Sequence, residues 1–373
     1  MKNIKKHLFI VTLLLFSSFF NATTIPFELI DGKIFVPVDI KKQKHYFLFD
    51  TGAFTIISSE LKGKINEKKS SIIFEASDAH NVKSKMDVFS TNDLIVSDLK
   101  FKNVNFSFTD VSWMTGRACK KISGILGANM MKGKIWRIDF KTKTISVFDK
   151  SLTNSPTSVT IPFSEDNFTS VPRVKGKIRN QDAEFIFDSG SGMGITLSQN
   201  LYNSIKDSDF LTFEGLLSQG LNSVNKGERQ VDLMEIEFNK TNLKNQIIDS
   251  SSDPLNLIGI RFIENYLVDL DFINNNIILN STDKTPEYNS FGISLAPIDN
   301  SLIIVNKLQI PSLSELNVSE KILKINDIDV SKITAEKYCE VRKILDNSKT
   351  ITIENESNKK FILEKKNVLL YLN

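Results

Sequence analysis

Short apolar runs, separated by Asn, Asp, Gly and Lys, fill most of this chain of 373 residues. Runs of this kind, rich in Val, Ile, Phe and Thr, are typical of β-strands, and the polar residues between them are typical of turns. Helical periodicity is restricted to short stretches, such as residues 198–205 and 261–266, and to one longer stretch near the C-terminus. The pattern predicts a mainly β protein.

The first 22 residues follow a different pattern. Lys2, Lys5 and Lys6 precede an apolar stretch over residues 7–20, which ends near Ala22. A positive start followed by a short apolar stretch predicts a secretory signal peptide, because about 14 residues are too few to span a membrane comfortably. We therefore expect an exported protein, periplasmic or secreted. The cleavage site lacks a clean Ala-x-Ala, so an uncleaved N-terminal anchor is the less favoured alternative.

Charge and composition exclude several functions. The chain has 47 Lys and Arg against 44 Asp and Glu, and removing the three lysines of the signal leaves 44 of each. A neutral balance gives no electrostatic basis for binding nucleic acid or anionic lipid, so we expect neither as partner. With three histidines and two cysteines, the chain has little material for a multi-His metal site, a Ser-His-Asp triad or a zinc ribbon. We predict no metal and no cofactor.

An internal repeat divides the chain. Segments 23–150 and 151–283 each open with Ile-Pro-Phe and continue with an aromatic apolar run that ends in an Asp-Thr/Ser-Gly turn. Each segment later has two apolar residues followed by a glycine, Gly127 in the first and Gly259 in the second. In both segments an aspartate, Asp139 or Asp271, lies 12 residues after this glycine, and a predicted hairpin begins there. Features repeated in the same order predict two structurally equivalent lobes.

Each of the two repeated turns begins with an aspartate, Asp50 in the first and Asp188 in the second. A single Asp-Thr/Ser-Gly is explained by turn preferences alone, but one copy in each lobe is not. If the lobes pack about an approximate two-fold axis, equivalent positions near the axis meet, so Asp50 and Asp188 would face each other. Two close carboxylates share one proton, which supplies a general acid and a general base in one site. Such a pair can activate a water against an amide without histidine, metal or covalent nucleophile.

These turns, each followed by an apolar-apolar-Gly motif, resemble the aspartic proteases of the retropepsin-like and pepsin-like group. The resemblance covers about 260 residues. It implies a bilobal acid-protease fold with two pseudo-two-fold-related, barrel-like lobes, which is active as a monomer on protein or peptide substrates. It also implies that Asp50 and Asp188 are catalytic. The supporting residues that it implies are Thr51, Gly52, Ala53, Gly127, Ser189, Gly190, Ser191 and Gly259.

The same resemblance implies a flap hairpin in each lobe that closes over substrate. The matching stretches are residues 73–89 and 211–231, with Gly215 and Gly220 as candidate turn residues in the second. The first stretch lacks the tyrosine that pepsin-like enzymes use in their flap. The chain is therefore more similar to the simpler retropepsin-like lobes.

After a polar linker at residues 282–290, the segment 284–373 has its own pattern. Two strand-like runs precede a helix that we expect to begin near Thr334, with Tyr338, Val341 and Leu345 on one face. The segment resembles a small α+β PDZ domain. The resemblance implies a peptide site at Phe291, Gly292 and Ile293, where backbone N–H groups would bind a peptide C-terminus and the next strand would pair with the peptide. A packing module that has lost this binding is the alternative.

The remaining chemical candidates are fewer. We expect His45 and His80 to be exposed bystanders, and Cys119 and Cys339 to be unpaired, because they fall in different modules. The favoured function is an aspartic endopeptidase that docks a substrate or partner through the PDZ-like domain. The alternatives are an inactive protease-like scaffold that binds peptides, and an enzyme dedicated to one specific protein.

Overall fold

The computed structural model describes residues 22–77, 82–150, 152–153, 155–207, 209–219, 224–252, 254–282 and 284–372. All but the last residue of the predicted signal peptide lies outside the described residues. Strands predominate, so the mainly β fold is confirmed. None of the helices within these ranges is long and apolar enough to cross a membrane.

The first repeat contains thirteen strands and one α-helix in its described residues. The helix α1 spans Ser112–Ala118. The strands are β1 Thr23–Pro26, β2 Glu28–Ile30, β3 Lys33–Ile40, β4 Gln43–Asp50, β5 Ile56–Ser58, β6 Lys68–Ser77, β7 Lys83–Thr91, β8 Leu94–Val96, β9 Leu99–Lys100, β10 Val104–Thr109, β11 Ile122–Gly127, β12 Ile135–Asp139 and β13 Thr144–Phe148.

The second repeat contains ten strands and two helices in its described residues. The helices are α2 Gln199–Ile205 and α3 Ile260–Ile263. The strands are β14 Val159–Ser164, β15 Arg173–Ile178, β16 Gln181–Phe187, β17 Ile195–Ser198, β18 Leu211–Gln219, β19 Val224–Phe238, β20 Thr241–Ser251, β21 Leu257–Ile258, β22 Tyr266–Asp271 and β23 Asn276–Ser281. The helix expected over 198–205 is confirmed. The one expected over 261–266 ends earlier, because Tyr266 begins β22.

The two repeats build the same ladder of strands. In the first, β11 lies between β4, to which it is parallel, and β5, to which it is antiparallel. In the second, β21 has the same place between β16 and β17. The hairpin registers also match, since Val36 pairs with Phe47 and Val174 pairs with Phe185, each residue shifted by 138. The repeat seen in the sequence is thus a repeated strand topology.

The two repeats differ in whether their strands close into a barrel. In the second, the strands β15, β16, β21, β17, β20 and β19 form a closed six-stranded barrel, because β19 pairs back to β15. In the first, the equivalent strand β3 pairs instead with β2 and β8, and β7 pairs with β6 and β10. The first repeat therefore remains an open sheet.

A six-stranded antiparallel sheet joins the repeats, in the order β1, β13, β12, β22, β23, β14. At its centre Arg137 pairs with Asp269, and residues on either side pair in mirror order. Arg137 and Asp269 are 132 residues apart, which is also the spacing between the equivalent glycines Gly127 and Gly259. Arg137 and Asp269 are therefore equivalent positions that meet at the local pseudo-two-fold axis. Arg137 donates two hydrogen bonds to the Asp269 carboxylate, at 2.6 and 2.8 Å.

The C-terminal part packs one helix against a smaller sheet. The helix α4 spans Ala335–Asn347, and the Thr334 hydroxyl caps it by accepting from the Lys337 N–H at 3.2 Å, as expected from the sequence. Tyr338 and Val341 are buried. The strands are β24 Asn289–Ser290, β25 Ile293–Ile298, β26 Ser301–Leu308, β27 Lys321–Ile325, β28 Ile328–Asp329, β29 Thr350–Asn355, β30 Lys360–Glu364 and β31 Lys366–Asn367.

Strand pairing joins the C-terminal part to the second repeat. β18 pairs with β26, with Phe213 opposite Leu308. This pairing continues the sheet of the second repeat into the C-terminal part. The apolar core of the C-terminal part accordingly includes Leu211, Phe213 and Val231.

The first repeat is linked covalently to the C-terminal part, which corrects the expectation of unpaired cysteines. Cys119 and Cys339 form a disulfide, with Cα atoms 5.4 Å apart. Cys119 follows helix α1 and Cys339 lies in α4. The two cysteines lie in different modules of the sequence, but the disulfide shows that helices α1 and α4 lie next to each other in the fold.

Candidate active site

Two strands carry Asp50 and Asp188 into one site. β4 ends at Asp50, and β16 ends one residue before Asp188. Alternate positions of these strands carry buried phenylalanines, which anchor both strands in the core: Phe47, Phe49, Phe185 and Phe187. The two aspartates themselves are only half-buried. Rigid strands thus present two carboxyl groups at a position that solvent reaches.

The residues after the aspartates tie the two turns together. Thr51 and Ser189 are completely buried, and each backbone N–H donates to the other residue's hydroxyl oxygen, at 3.0 and 2.9 Å. Each hydroxyl then donates to a carbonyl of the opposite strand, Thr51 to Phe187 at 2.5 Å and Ser189 to Phe49 at 2.9 Å. Four hydrogen bonds related by the local two-fold axis therefore fix the distance between the turns.

Gly52 and Gly190 let each turn approach the opposite carboxyl group. A Cβ atom built on Gly52 would lie 2.6 Å from Cγ of Asp188, and one built on Gly190 would collide with the carboxyl of Asp50. Each glycine N–H also donates to the aspartate of its own turn at 2.8 Å. Any side chain at either position would force the aspartates apart, so glycine is required here by close packing.

Gly127 and Gly259, which the resemblance implies as supporting residues, pack against the turns from the neighbouring strand. A Cβ on Gly127 would lie 2.5 Å from the carbonyl oxygen of Ala53, and a Cβ on Gly259 would lie 2.9 Å from that of Ser191. The N–H of the residue after each glycine donates to the same carbonyl, at 2.9 and 2.8 Å. All ten residues assigned to the site from the Asp-Thr/Ser-Gly and apolar-Gly motifs are thus brought together.

Each of the two carboxyl groups packs against the glycine of the opposite turn, and both pKa values are raised. Burial raises the pKa of Asp50 most, followed by the charge of Asp188 and the hydrogen bond between them, and Lys33 opposes the shift. Burial also raises the pKa of Asp188, against the hydrogen bond from Asp50 and the charge of Lys33. Two neighbouring carboxyl groups with raised pKa values can share one proton, so the pair can act as a single acid-base unit.

The first hairpin, β6–β7, reaches the site through an aromatic cluster. Phe74 of β6 lies 5.2 Å from Phe54 and 5.0 Å from Phe168 between ring centroids, and Phe54 stacks on Phe168 at 4.9 Å. Phe54 follows the Asp50 turn and Phe168 belongs to the second repeat. Residues 78–81, within the flap stretch expected at 73–89, lie outside the described residues.

The second hairpin, β18–β19, contains the other expected flap stretch. The prediction of Gly215 as a turn residue is wrong, because Gly215 lies inside β18, opposite Gly227 and Asn306. Its φ of +115° and its close approach to the carbonyl of Val305 explain why glycine stands there. Gly220 lies outside the described residues.

The residues expected to bind a peptide C-terminus lie beside a cavity. Phe291 is half-buried, Gly292 has a φ of +78°, and Ile293 begins β25. The Gly292 N–H donates to the Ser290 hydroxyl at 3.0 Å. A cavity of about 270 Å³ adjoins this loop, and Leu308, Leu313, Leu363 and Lys366 are among its lining residues. The Gly292 N–H is thus already paired within the loop, and the expected peptide site stays a prediction.

Of the three histidines, only His45 lies within the described residues. His45 is half-buried on β4, and its Nδ1 lies 3.0 Å from the Ser123 hydroxyl. Burial, together with the charge of Lys121, lowers the pKa of His45. His45 is thus a partly packed residue rather than a fully exposed one. His80 lies outside the described residues.

The sequence interpretation missed Lys33, the first residue of β3. Its Nζ donates to the carbonyl of Gly190, within the turn that carries Asp188. The matching registers of the two repeats place Lys33 at the position equivalent to Val171. Aligning the repeats at a spacing of 138 would have shown a lysine where the other repeat has an apolar residue.

Comparison of the chain with models of protein families and with curated proteins finds no match.

Proposed function

We propose that this protein is an aspartic endopeptidase, in which Asp50 and Asp188 activate a water that hydrolyses peptide bonds of proteins. The observation that carries the proposal is the close packing of two half-buried carboxyl groups on equivalent turns, each against the glycine of the opposite turn. Such a pair shares one proton between its two carboxyl groups over a pH range in which an isolated aspartate is fully ionised. It can therefore donate and accept a proton in the same catalytic cycle.

Each member of the pair has a role in the proposed reaction. The ionised carboxylate takes a proton from the bound water as its oxygen attacks the peptide carbonyl carbon. The protonated carboxyl donates to the carbonyl oxygen and stabilises the charge that develops there. The proton taken from water then passes to the leaving nitrogen as the C–N bond breaks, which restores the pair. The Thr51 and Ser189 hydrogen bonds hold together the two turns that carry the carboxyl groups.

We also propose that the two repeats form an acid-protease fold and that the C-terminal part is a PDZ-like domain. A bilobal acid-protease fold over residues 23–150 and 151–283 is supported by the repeated strand order and by the six-stranded sheet between the repeats. A PDZ-like domain over residues 284–373 is supported by the order of strands around helix α4 and by the left-handed Gly292. Two hairpins, β6–β7 and β18–β19, would cover an extended peptide bound at the aspartates.

We also propose that the protein acts outside the cytoplasm, as a monomer. The Cys119–Cys339 disulfide supports export, because disulfides persist in oxidising compartments and are rare in reducing ones. Both aspartates come from one chain, so a second copy is not needed to complete the pair.

The test is cleavage of a denatured protein substrate between about pH 3 and 7, the range in which a coupled carboxylate pair titrates. Wild-type protein should cleave it, and Asp50→Asn and Asp188→Asn should each lose about 100- to 10,000-fold in kcat/KM. Asp98→Asn, at an exposed position between β8 and β9, is the matched control and should keep full activity. Absence of cleavage by folded wild-type protein throughout this range would refute the proposal.

A second candidate is a peptide-binding protein built on an inactive protease-like scaffold. The cavity beside Phe291 and Gly292 favours it. The same Asn variants separate the two functions, because a peptide-binding protein would retain its affinity for peptide C-termini in both variants and would show no turnover in any of them.

A further inference from the structure

Lys33 places a positive charge beside the aspartate pair. It is half-buried at the start of β3, and its Nζ donates to the carbonyl oxygen of Gly190. Gly190 in turn donates its N–H to Asp188 at 2.8 Å and packs against the carboxyl of Asp50. The ammonium group of Lys33 is thus hydrogen-bonded to Gly190, the residue that contacts both aspartates.

This cation breaks the symmetry of the site. The repeats match residue for residue in the β3–β4 and β15–β16 hairpins, and the position equivalent to Lys33 is the buried Val171. The site therefore receives one lysine from this position and not two. A pair that shares one proton carries one negative charge, so a single cation balances it. Two cations would favour loss of the remaining proton.

The turn before Lys33 holds the lysine in place. Gly32, with a φ of +65°, packs against Gly192 of the second repeat, and a Cβ atom built on Gly32 would lie 3.6 Å from the Gly192 Cα. Asp31 pairs with Arg342 of helix α4 at 2.9 Å. The turn is therefore fixed on one side by the loop after Asp188 and on the other by the C-terminal part.

The charges that face this turn are Asp31, Arg342, Arg117 and Lys33 itself. Burial would raise the pKa of Asp31, but Arg342, with Lys33 and Arg117, holds it below its usual range. Asp31 thus stays ionised at the pH at which the aspartate pair titrates. Its charge is matched by Arg342, which leaves Lys33 as the cation that acts on the pair.

We propose that Lys33 is a positioning residue that supplies the counter-charge of the half-protonated aspartate pair through its contact with Gly190. The inference rests on the proposed function, since it concerns the same pair. Because a nearby cation stabilises ionised carboxylates, Lys33 lowers the pH at which the pair gains its single negative charge and also the pH at which it loses its last proton.

The test compares Lys33→Met, which keeps the length and removes the charge, with Lys33→Arg, which keeps the charge. In Lys33→Met, both limbs of the pH profile of kcat/KM should move upward by about one unit. In Lys33→Arg, the profile should stay within about 0.3 units of wild type, because the charge remains. Lys141→Met, at an exposed hairpin position, is the control and should not shift the profile. An unshifted profile in Lys33→Met, or a loss of activity equal at every pH, would overturn the proposal.

A second measurement separates this inference from the proposed function. Carboxyl ¹³C NMR of protein labelled at aspartate follows the titration of Asp50 and Asp188 without any substrate, and the two Asn variants identify their signals. Lys33→Met should raise the titration midpoints of the pair by about one unit, and unchanged midpoints would overturn the inference even if the enzyme is inactive. If Lys33→Met does not fold, Lys33→Gln replaces it in both measurements with the same expected shifts.

Discussion

Ser189→Ala should destabilise the protein because it removes one half of the reciprocal network between the turns. The Ser189 hydroxyl accepts from the Thr51 N–H at 3.0 Å and donates to the Phe49 carbonyl at 2.9 Å. In the variant, the N–H of the fully buried Thr51 loses its acceptor, which costs about 1 to 3 kcal/mol. Loss of the bond to Phe49 adds about 1 kcal/mol. We expect the free energy of unfolding to fall by about 2 to 4 kcal/mol.

Urea denaturation of wild type, Ser189→Ala and Ser189→Thr, followed by tryptophan fluorescence, measures this loss. Ser189→Thr is the matched control, because the equivalent position already holds Thr51 with the same pattern of hydrogen bonds. It should keep most of the stability. A loss below about 0.5 kcal/mol for Ser189→Ala, or an equal loss for both variants, would refute the idea that these hydroxyl bonds hold the turns together.

Three further predictions concern the aspartate pair, the Arg137–Asp269 ion pair and the disulfide. The folded pair keeps its proton to a higher pH than unfolded Asp50, which ionises at about pH 4, so the pair contributes less stability as the pH rises. In urea denaturation, the free energy of unfolding of Asp50→Asn relative to wild type should therefore be higher at pH 7 than at pH 3 by about 1 kcal/mol or more, and a pH-independent difference would contradict this. Arg137→Met leaves the buried Asp269 without its partner and should lower the free energy of unfolding by about 3 kcal/mol in the same assay. A loss below about 1 kcal/mol would show that the pair is dispensable. Replacing Cys119 and Cys339 with serine should cost about 2 to 4 kcal/mol, and alkylation of unreduced, denatured wild type should find no free thiol.

Features that arise from local pattern were predictable from the sequence. The apolar runs into Asp50 and Asp188, the spacing from each apolar-Gly motif to its hairpin, and the Thr334 cap each depend on a few consecutive residues. Strand period, turn chemistry and capping act over that range. The repeated turns were also enough to predict which residues meet at the candidate site.

Features that depend on how distant segments pack were not predictable. Cys119 and Cys339 were expected to be unpaired because nothing in the sequence shows that helices α1 and α4 are neighbours. Gly215 was assigned to a turn because glycine is common there, but its role is to admit the Val305 carbonyl between two strands. Lys33 donates a hydrogen bond to Gly190, in the repeat that it does not belong to. Such contacts come from tertiary packing, which local propensity does not encode.

The central claim is that Asp50 and Asp188 act as one acid-base unit, and the most direct test is a double-mutant comparison. The values of kcat/KM are measured for wild type, Asp50→Asn, Asp188→Asn and the double variant on one peptide substrate. If the pair is a unit, each single variant loses as much as the double variant, because either substitution destroys the shared proton. Losses that add independently, or full activity in either single variant, would contradict the claim.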